Sequence, residues 1–303
     1  MINNWNYYPA KKFLNDDFLM EIKPGTLYVV GTPIGNLADM TFRGVQVLQD
    51  VDLIAAEDTR HTGKLLQHFQ IKTPQISYHE HNRSSRIPEL LRHLNDDKSL
   101  ALVSDAGIPG ISDPGYELIS ACITKGISVV PLPGACAAIT ALCASGLPTN
   151  RFMFEGFLPT KRKQRQQILE SLQAETRTLI FYESPHRLRE TLEDLVAAFG
   201  ETRHCVLARE LTKLYEDFWR GSLKEAISLY QEKQPQGEYT LILEGTSPDR
   251  TQLSEAQLKI ELRSLITRGV SRSQASRELA KLTSIPRRQL YQLALDIKIT
   301  EEN

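Results

Sequence analysis

From residue 26 onward, short apolar runs alternate with segments whose apolar positions recur at helical spacing. TLYVVG (26–31), DLIAAED (52–58), QISYHE (75–80), LALVSD (100–105) and SVVPLP (128–133) are too short for helices and read as strands. Between them TFRGVQVLQ (41–49), RHTGKLLQHF (60–69), SSRIPELLRHL (84–94) and PGYELISACITKG (114–126) read as helices. Strand–helix alternation predicts a largely parallel, doubly wound sheet, with ligands beyond the carboxyl ends of its strands.

A second block starts near Asn150. FMFEGFL (152–158), TLIFYES (178–184), CVLARE (205–210) and YTLILEG (239–245) read as strands, with helices at 161–173 and 185–199. This predicts a second α/β domain with hairpin-like strands toward its end. GTSPDRTQLS (245–254) has linker composition. Three helical patterns follow, at 255–269, 271–283 and 286–298, with Ser271 placed to cap the second and Pro286 suited to open the third. With a turn at Gly269-Val270 they resemble a helix-turn-helix unit. The predicted organisation is an N-terminal extension (1–24), two α/β domains (25–149 and 150–247) and a small helical module (254–298).

Composition adds little except through its distribution. The 303 residues suffice for two domains and an appendage, and 41% hydrophobic with 24% charged residues suits a globular protein with a real core. Net charge is −1, yet residues 259–291 carry eight basic side chains against two acidic ones, a local charge of +6 that points to a polyanion. The opening residues lack the apolar core of a signal peptide, and no window approaches the ~20 apolar residues of a membrane span, so a cytoplasmic protein is expected. Cys122, Cys136, Cys143 and Cys205 have no metal-ligand spacing and lie in apolar stretches, which predicts buried free thiols and no metal.

Several strand ends carry candidate chemistry, each with a plainer alternative. VVGTPIGN (29–36) is a glycine turn that is neither a dinucleotide fingerprint nor a P-loop; it turns the chain or lets backbone approach a ligand. In AAEDTRHT (55–62), Asp58 or Thr59 caps the next helix, or Glu57, Asp58, Arg60 and His61 form a polar wall. SYHEHNRSSR (77–86) brings His79, Glu80, His81, Arg83 and Arg86 together without the further ligands a metal pair needs. LVSDAGIPGISDPG (102–115) has no composition for packing and sits at a strand's carboxyl end. LPGACAAITALCASGLP (132–148) opens a helix on small residues, for close packing or to expose backbone N–H groups. LPTKRKQR (158–165) is a solvated face or a nucleic-acid contact. In IFYESPHR (180–187), Ser184-Pro185 reads as a cap and first helical residue, which is structural, whereas Glu183 would be functional if it faced a cleft.

In their order from residue 30 to 216, VGTPIGNLADMTFRG, AEDTRHTGKLL, HEHNR, LVSDAGIPGISDPG, PLPGACAAITAL, FEGFLP, FYESPHR and ARELTKLYE make the chain resemble the tetrapyrrole-methylase superfamily. More narrowly the chain resembles the superfamily's RNA-modifying branch, which 2′-O-methylates a cytidine of small-subunit (16S) ribosomal RNA. The resemblance covers about residues 24 to 297. It implies two α/β domains holding S-adenosylmethionine in the cleft between them, in a homodimer. By position it implies cofactor contacts at Ile34, Val103, Ser104, Asp105, Ile108, Cys136, Ala137, Glu183 and Leu211. Gly31 to Asn36 and Ser104 to Ala106 depart from the Gly-x-Gly-Pro-Gly-Asp and Gly-Asp-Pro of many superfamily members, as the RNA branch does.

A ribose hydroxyl is a poor nucleophile, so attack benefits from a base; Asp58, His79, Glu80, His81 and Asp113 are candidates that the sequence leaves unranked. Arg60, Arg83, Lys161, Arg162 and Arg187 are placed to neutralise phosphates, as are Arg272, Arg277, Arg287 and Arg288 of the helical module. Two other readings stay open: a methyltransferase of a small macrocycle, which leaves the basic module without a task, and a ligand-sensing DNA-binding regulator, which leaves the polar strand ends unexplained.

Overall fold

In the computed structural model, residues 21–246, 255–283 and 285–297 are described. Most of the expected N-terminal extension and residues 247–254 of the expected linker lie outside them.

The first half forms a five-stranded parallel sheet in the order β3-β2-β4-β1-β5, from β1 (Thr26–Val30), β2 (Leu53–Ala56), β3 (Gln75–Ser77), β4 (Leu100–Val103) and β5 (Ser128–Leu132). The central strands are apolar on both faces because both faces are covered. Tyr28, Val30, Ile54, Ala56, Ala101 and Val103 pack with Val47 and Leu48 of α1 (Phe42–Asp50) and Leu66 of α2 (Thr59–His68). The alternate residues Leu27, Val29, Ala55, Leu100 and Leu102 meet Leu90 and Leu94 of α3 (Arg83–Asn95) and Leu118 and Cys122 of α4 (Tyr116–Thr124).

The second sheet is mixed, in the order β6-β7-β10-β8-β9: β6 (Phe152–Phe157), β7 (Thr178–Glu183), β8 (His204–Arg209), β9 (Asp217–Ser222) and β10 (Tyr239–Leu243). Of its neighbouring pairs, only β6–β7 is parallel. One face packs on α6 (Arg162–Ser171), α7 (Leu188–Phe199) and α8 (Leu223–Glu232). The other face carries Ile180, Val206, Ala208 and Ile242 and is covered by α5 (Ala137–Ser145) through Ala138, Ala141 and Leu142. Helix α5 follows the first sheet in sequence but packs on the second. Helices α9 (Glu255–Thr267), α10 (Arg272–Leu282) and α11 (Arg287–Leu295) share a core of their own around Leu262, Ala275, Leu279 and Leu290.

Three local expectations are corrected. Ser184 does not cap α7: Arg187 N–H donates to the Ser184 carbonyl, closing a turn, and the helix starts at Leu188. The thiols are not uniformly buried: Cys122 and Cys205 are, Cys136 is half-buried and Cys143 is exposed, because α5 turns Ala141 and Leu142 inward and Cys143 outward. The basic run at 158–165 is not one solvated face. Arg165 is buried and donates to Asp194 at 2.7 Å, and Arg162 reaches the same carboxylate.

Candidate active site

Because β4, β1 and β5 are neighbours, the three loops that leave their carboxyl ends must meet. Thr32 and Gly107 exchange backbone hydrogen bonds of 2.8 and 3.1 Å, and the Thr32 hydroxyl donates to the Ser104 carbonyl at 3.2 Å. On the other side Gly31 and Gly134 lie backbone to backbone. A Cβ on Gly134 would stand 2.7 Å from the Gly31 Cα, and one on Gly31 would stand 2.8 Å from the Gly134 Cα. No residue larger than glycine fits either position without moving a loop.

These loops form one wall of a cleft of about 390 Å³, within the ~300–1,000 Å³ usual for small-molecule sites. Ile34, Ile108, Asp113, Cys136 and Ala137 line it from the first half of the chain; Tyr182, Glu183, Leu211 and Thr240 line it from the second sheet and its loops. Ser112, Glu210 and Thr212 around it have φ of 60°, 51° and 65°, a left-handed conformation that non-glycine residues adopt at the expense of ~1–3 kcal/mol. Contacts hold that loop: Lys213 Nζ and the Glu238 N–H both donate to Glu210 Oε1, at 2.9 Å each.

Helix α5 opens on the cleft with no side-chain cap. The Ala138 N–H donates to the Tyr182 hydroxyl at 3.1 Å; burial, the main cause, pushes this phenol up to about 12. Glu183 is fully engaged. Its Oε1 accepts from Ser184 N–H (2.8 Å) and from Arg187 Nε and Nη2 (3.0 and 2.7 Å), and its Oε2 accepts from Thr191 Oγ1 at 2.6 Å. Arg187 is therefore held by Glu183 and by the Leu158 carbonyl rather than presented to solvent.

A second cavity, about 520 Å³ and polar, adjoins the cleft. Glu57, His79, Glu80, His81, Arg83, Tyr116 and Glu117 line it, and Ser112 and Asp113 belong to both cavities. Asp113 is raised to about 7, chiefly by burial and then by the negative charge of Glu57, while the Ser104 hydroxyl opposes the rise. Glu57 is raised too, mainly by burial. Asp58 differs: it caps α2 and grips Arg60 with both oxygens, and those bonds hold its carboxyl well below the usual range.

Of the residues the resemblance assigned to a cofactor, Ile34, Ile108, Cys136, Ala137, Glu183 and Leu211 line the cleft. Val103 and Ser104 are buried behind the loops. Asp105 faces a separate hollow with His61 and Lys64, accepts from the Asp58 N–H and donates its own N–H to Glu57. Arg60 is exposed but forked onto Asp58, Arg83 is paired with Glu117, and Arg272 Nη2 donates to the Ile297 carbonyl. Lys161, Arg162, Arg277, Arg287 and Arg288 are exposed. Tyr182 and Thr240 were not read from the sequence, although a hydroxyl inside each of two apolar strands was the available signal.

A parallel α/β sheet and a mixed sheet joined by α5 thus enclose a loop-lined cleft. Residues 26–227 match the model of the Tetrapyrrole (Corrin/Porphyrin) Methylases, and the chain belongs to that family. Within it the chain is similar along nearly its whole length to proteins named ribosomal RNA small subunit methyltransferase I. The one from Synechocystis sp. is 60% identical over 275 residues, covering 90% of this chain and 99% of that protein. The one from Escherichia coli O157:H7 is 49% identical over 274 residues, covering 90% and 95%. Among solved structures, uroporphyrin-III-C-methyltransferase of Thermus thermophilus superposes with a TM-score of 0.54 at 20% identity, covering 73% of this chain and 94% of that one. Diphthine synthase gives 0.55 at 13%, covering 88% and 99%. At those identities the likeness is one of fold.

Proposed function

We propose that this protein transfers a methyl group from S-adenosylmethionine to the 2′-hydroxyl of a cytidine in 16S ribosomal RNA, acting in the cytoplasm as a homodimer. The observation that carries this reading is the joining of the two cavities at Asp113. One cavity has the size and partly apolar walls for a small cofactor and the other a polar lining for a substrate, so reacting groups from each would meet beside a carboxyl group.

The cleft fits the cofactor. Paired glycines let backbone approach closely, α5 opens on the cleft without a side-chain cap, and Ile34, Ile108 and Leu211 offer apolar walls for an adenosyl group. When bound, S-adenosylmethionine supplies a methyl group on a sulfonium that leaves as a neutral thioether. Asp113 is the residue whose charge state responds to this. With a cation in the cleft its carboxylate is favoured; when that charge disappears its proton affinity recovers, and it can take the proton released by a hydroxyl. Asp58, consumed by its cap and by Arg60, does not serve as base. Glu80 and His81 stay exposed on the polar side, where they contact substrate.

Lys161, Arg162 and the exposed Arg277, Arg287 and Arg288 supply phosphate contacts, and the helical module docks RNA by shape and backbone. The exposed apolar side chains Phe157, Leu214 and Tyr215 support a surface covered by a second copy. A macrocycle substrate would leave the basic module idle, and a DNA-binding regulator would need no carboxyl group between two cavities. Mass-spectrometric mapping of ribosomal RNA from cells with and without this protein tests the reading. Loss of one 2′-O-methylcytidine is expected, and an unchanged methylation map refutes it.

A further inference from the structure

The polar cavity has a feature that the methyl-transfer reading does not use. Its lining sets three glutamates, Glu57, Glu80 and Glu117, around a single guanidinium. Arg83, the one guanidinium in its lining, is already paired with Glu117. Glu57 accepts a single hydrogen bond, from the Asp105 N–H to Oε2 at 3.2 Å, and its Oε1 carries none among the described residues. His79 Nδ1 is screened from solvent and has no partner among the described residues. An anionic phosphate in such a cavity would face carboxylates with no free cation to offset them. A neutral group rich in N–H donors would satisfy them. Tyr116, 71% exposed at the first position of α4, offers an aromatic face at the rim.

Resting on the proposed methylation of RNA, we infer that this cavity receives the base of the target nucleotide, and that Glu57 selects a base bearing an exocyclic amino group. A carboxylate that accepts from the amino group of cytosine meets a carbonyl oxygen in uracil, leaving two acceptors opposed and unsatisfied. Tyr116 stacks without regard to base identity, because every base has a π face. Glu57 thereby sets specificity and Tyr116 sets general affinity, two effects that can be measured separately.

The experiment uses the full-length protein at pH 8 and reconstituted small ribosomal subunits carrying either cytidine or uridine at the modified position. Methyl incorporation gives kcat/KM for each. The unaltered protein should prefer cytidine by about tenfold or more. Glu57→Gln, whose amide both donates and accepts, should bring the ratio to within about threefold. Tyr116→Ala should lower both values about equally and keep the ratio. Circular dichroism and a cooperative thermal melt accompany each variant and show that the fold is intact. A Glu57→Gln ratio equal to that of the unaltered protein overturns the inference, as does an unaltered protein that does not discriminate between the two subunits. Methylation of neither subunit overturns the RNA reading itself, and this inference with it.

Discussion

Replacing Asp113 by asparagine should make the protein more stable and a poorer binder of its cofactor. The carboxyl group titrates near 7 in the folded protein against an ordinary value of 3.8. The folded state therefore holds a proton that the unfolded chain has lost between about pH 4 and pH 7. Across that window the stability of the unaltered protein falls as pH rises, and above it the whole penalty is present. Full burial would set the penalty at about 4 kcal/mol. Asp113 keeps some contact with solvent, so about 1–2 kcal/mol is the sensible expectation. Asparagine cannot ionise and escapes it. At pH 8 the variant should melt roughly 2–8 °C higher, from ~2–4 °C per kcal/mol for a chain of this size. Cofactor binding should move the other way. A cation favours the ionised carboxylate, so the affinity of the unaltered protein for S-adenosylmethionine should fall about tenfold from pH 8 to pH 6. The variant should show weaker binding and little pH dependence. Differential scanning calorimetry and isothermal titration across pH 6–8 measure both. An unaltered protein whose affinity is flat with pH, or a variant that is less stable at pH 8, would refute the reasoning.

Gly134→Ala places a methyl group 2.7 Å from the Gly31 Cα, which only a backbone shift relieves. A loss of ~1–3 kcal/mol and a cofactor Kd raised at least tenfold are expected, checked by urea melts and calorimetry. Arg187→Leu leaves the buried Glu183 carboxylate without its cation and should lower stability by about 3 kcal/mol, seen as a reduced thermal midpoint. Deleting residues 254–303 removes helices with a core of their own, so cofactor affinity should stay within about twofold while methylation of ribosomal subunits falls more than tenfold. Equal loss of both activities in a folded truncation would exclude RNA docking by the module. Analytical ultracentrifugation should give twice the monomer mass of 34.3 kDa. A monomer at micromolar concentration would remove the homodimer from the proposal.

The sequence carried the order of elements well where local physics decides. Apolar runs located nine of the ten strands among the described residues, and Ser271 and Asp58 could be read as caps from their positions alone. The segment from 217 to 232 was missed, although only half of it was without a signal. Strand β9 is an edge strand with no buried residue, so it has no apolar signature. Helix α8 did announce itself: Ser222 and Glu225 form a capping box just before the buried Leu223, Ala226 and Tyr230.

The site was legible as a set of loops at strand ends, because parallel sheets bind ligands there. Which residues do what depended on contacts far apart in the chain. Arg187 reads as an RNA contact until Glu183 and the Leu158 carbonyl claim it. Gly31 and Gly134 are ordinary turn glycines until β1 and β5 become neighbours. Helix α5 belongs to the first half by sequence, yet its small residues pack on the second sheet. LVSDAGIPGISDPG could be placed at a strand end from the sequence alone. Burial and the charge of Glu57, 56 residues away, decided that Asp113 within it stands between two cavities with its carboxyl raised to about 7. Patterning is local and survives in one dimension, whereas desolvation and pairing exist only once the chain has folded.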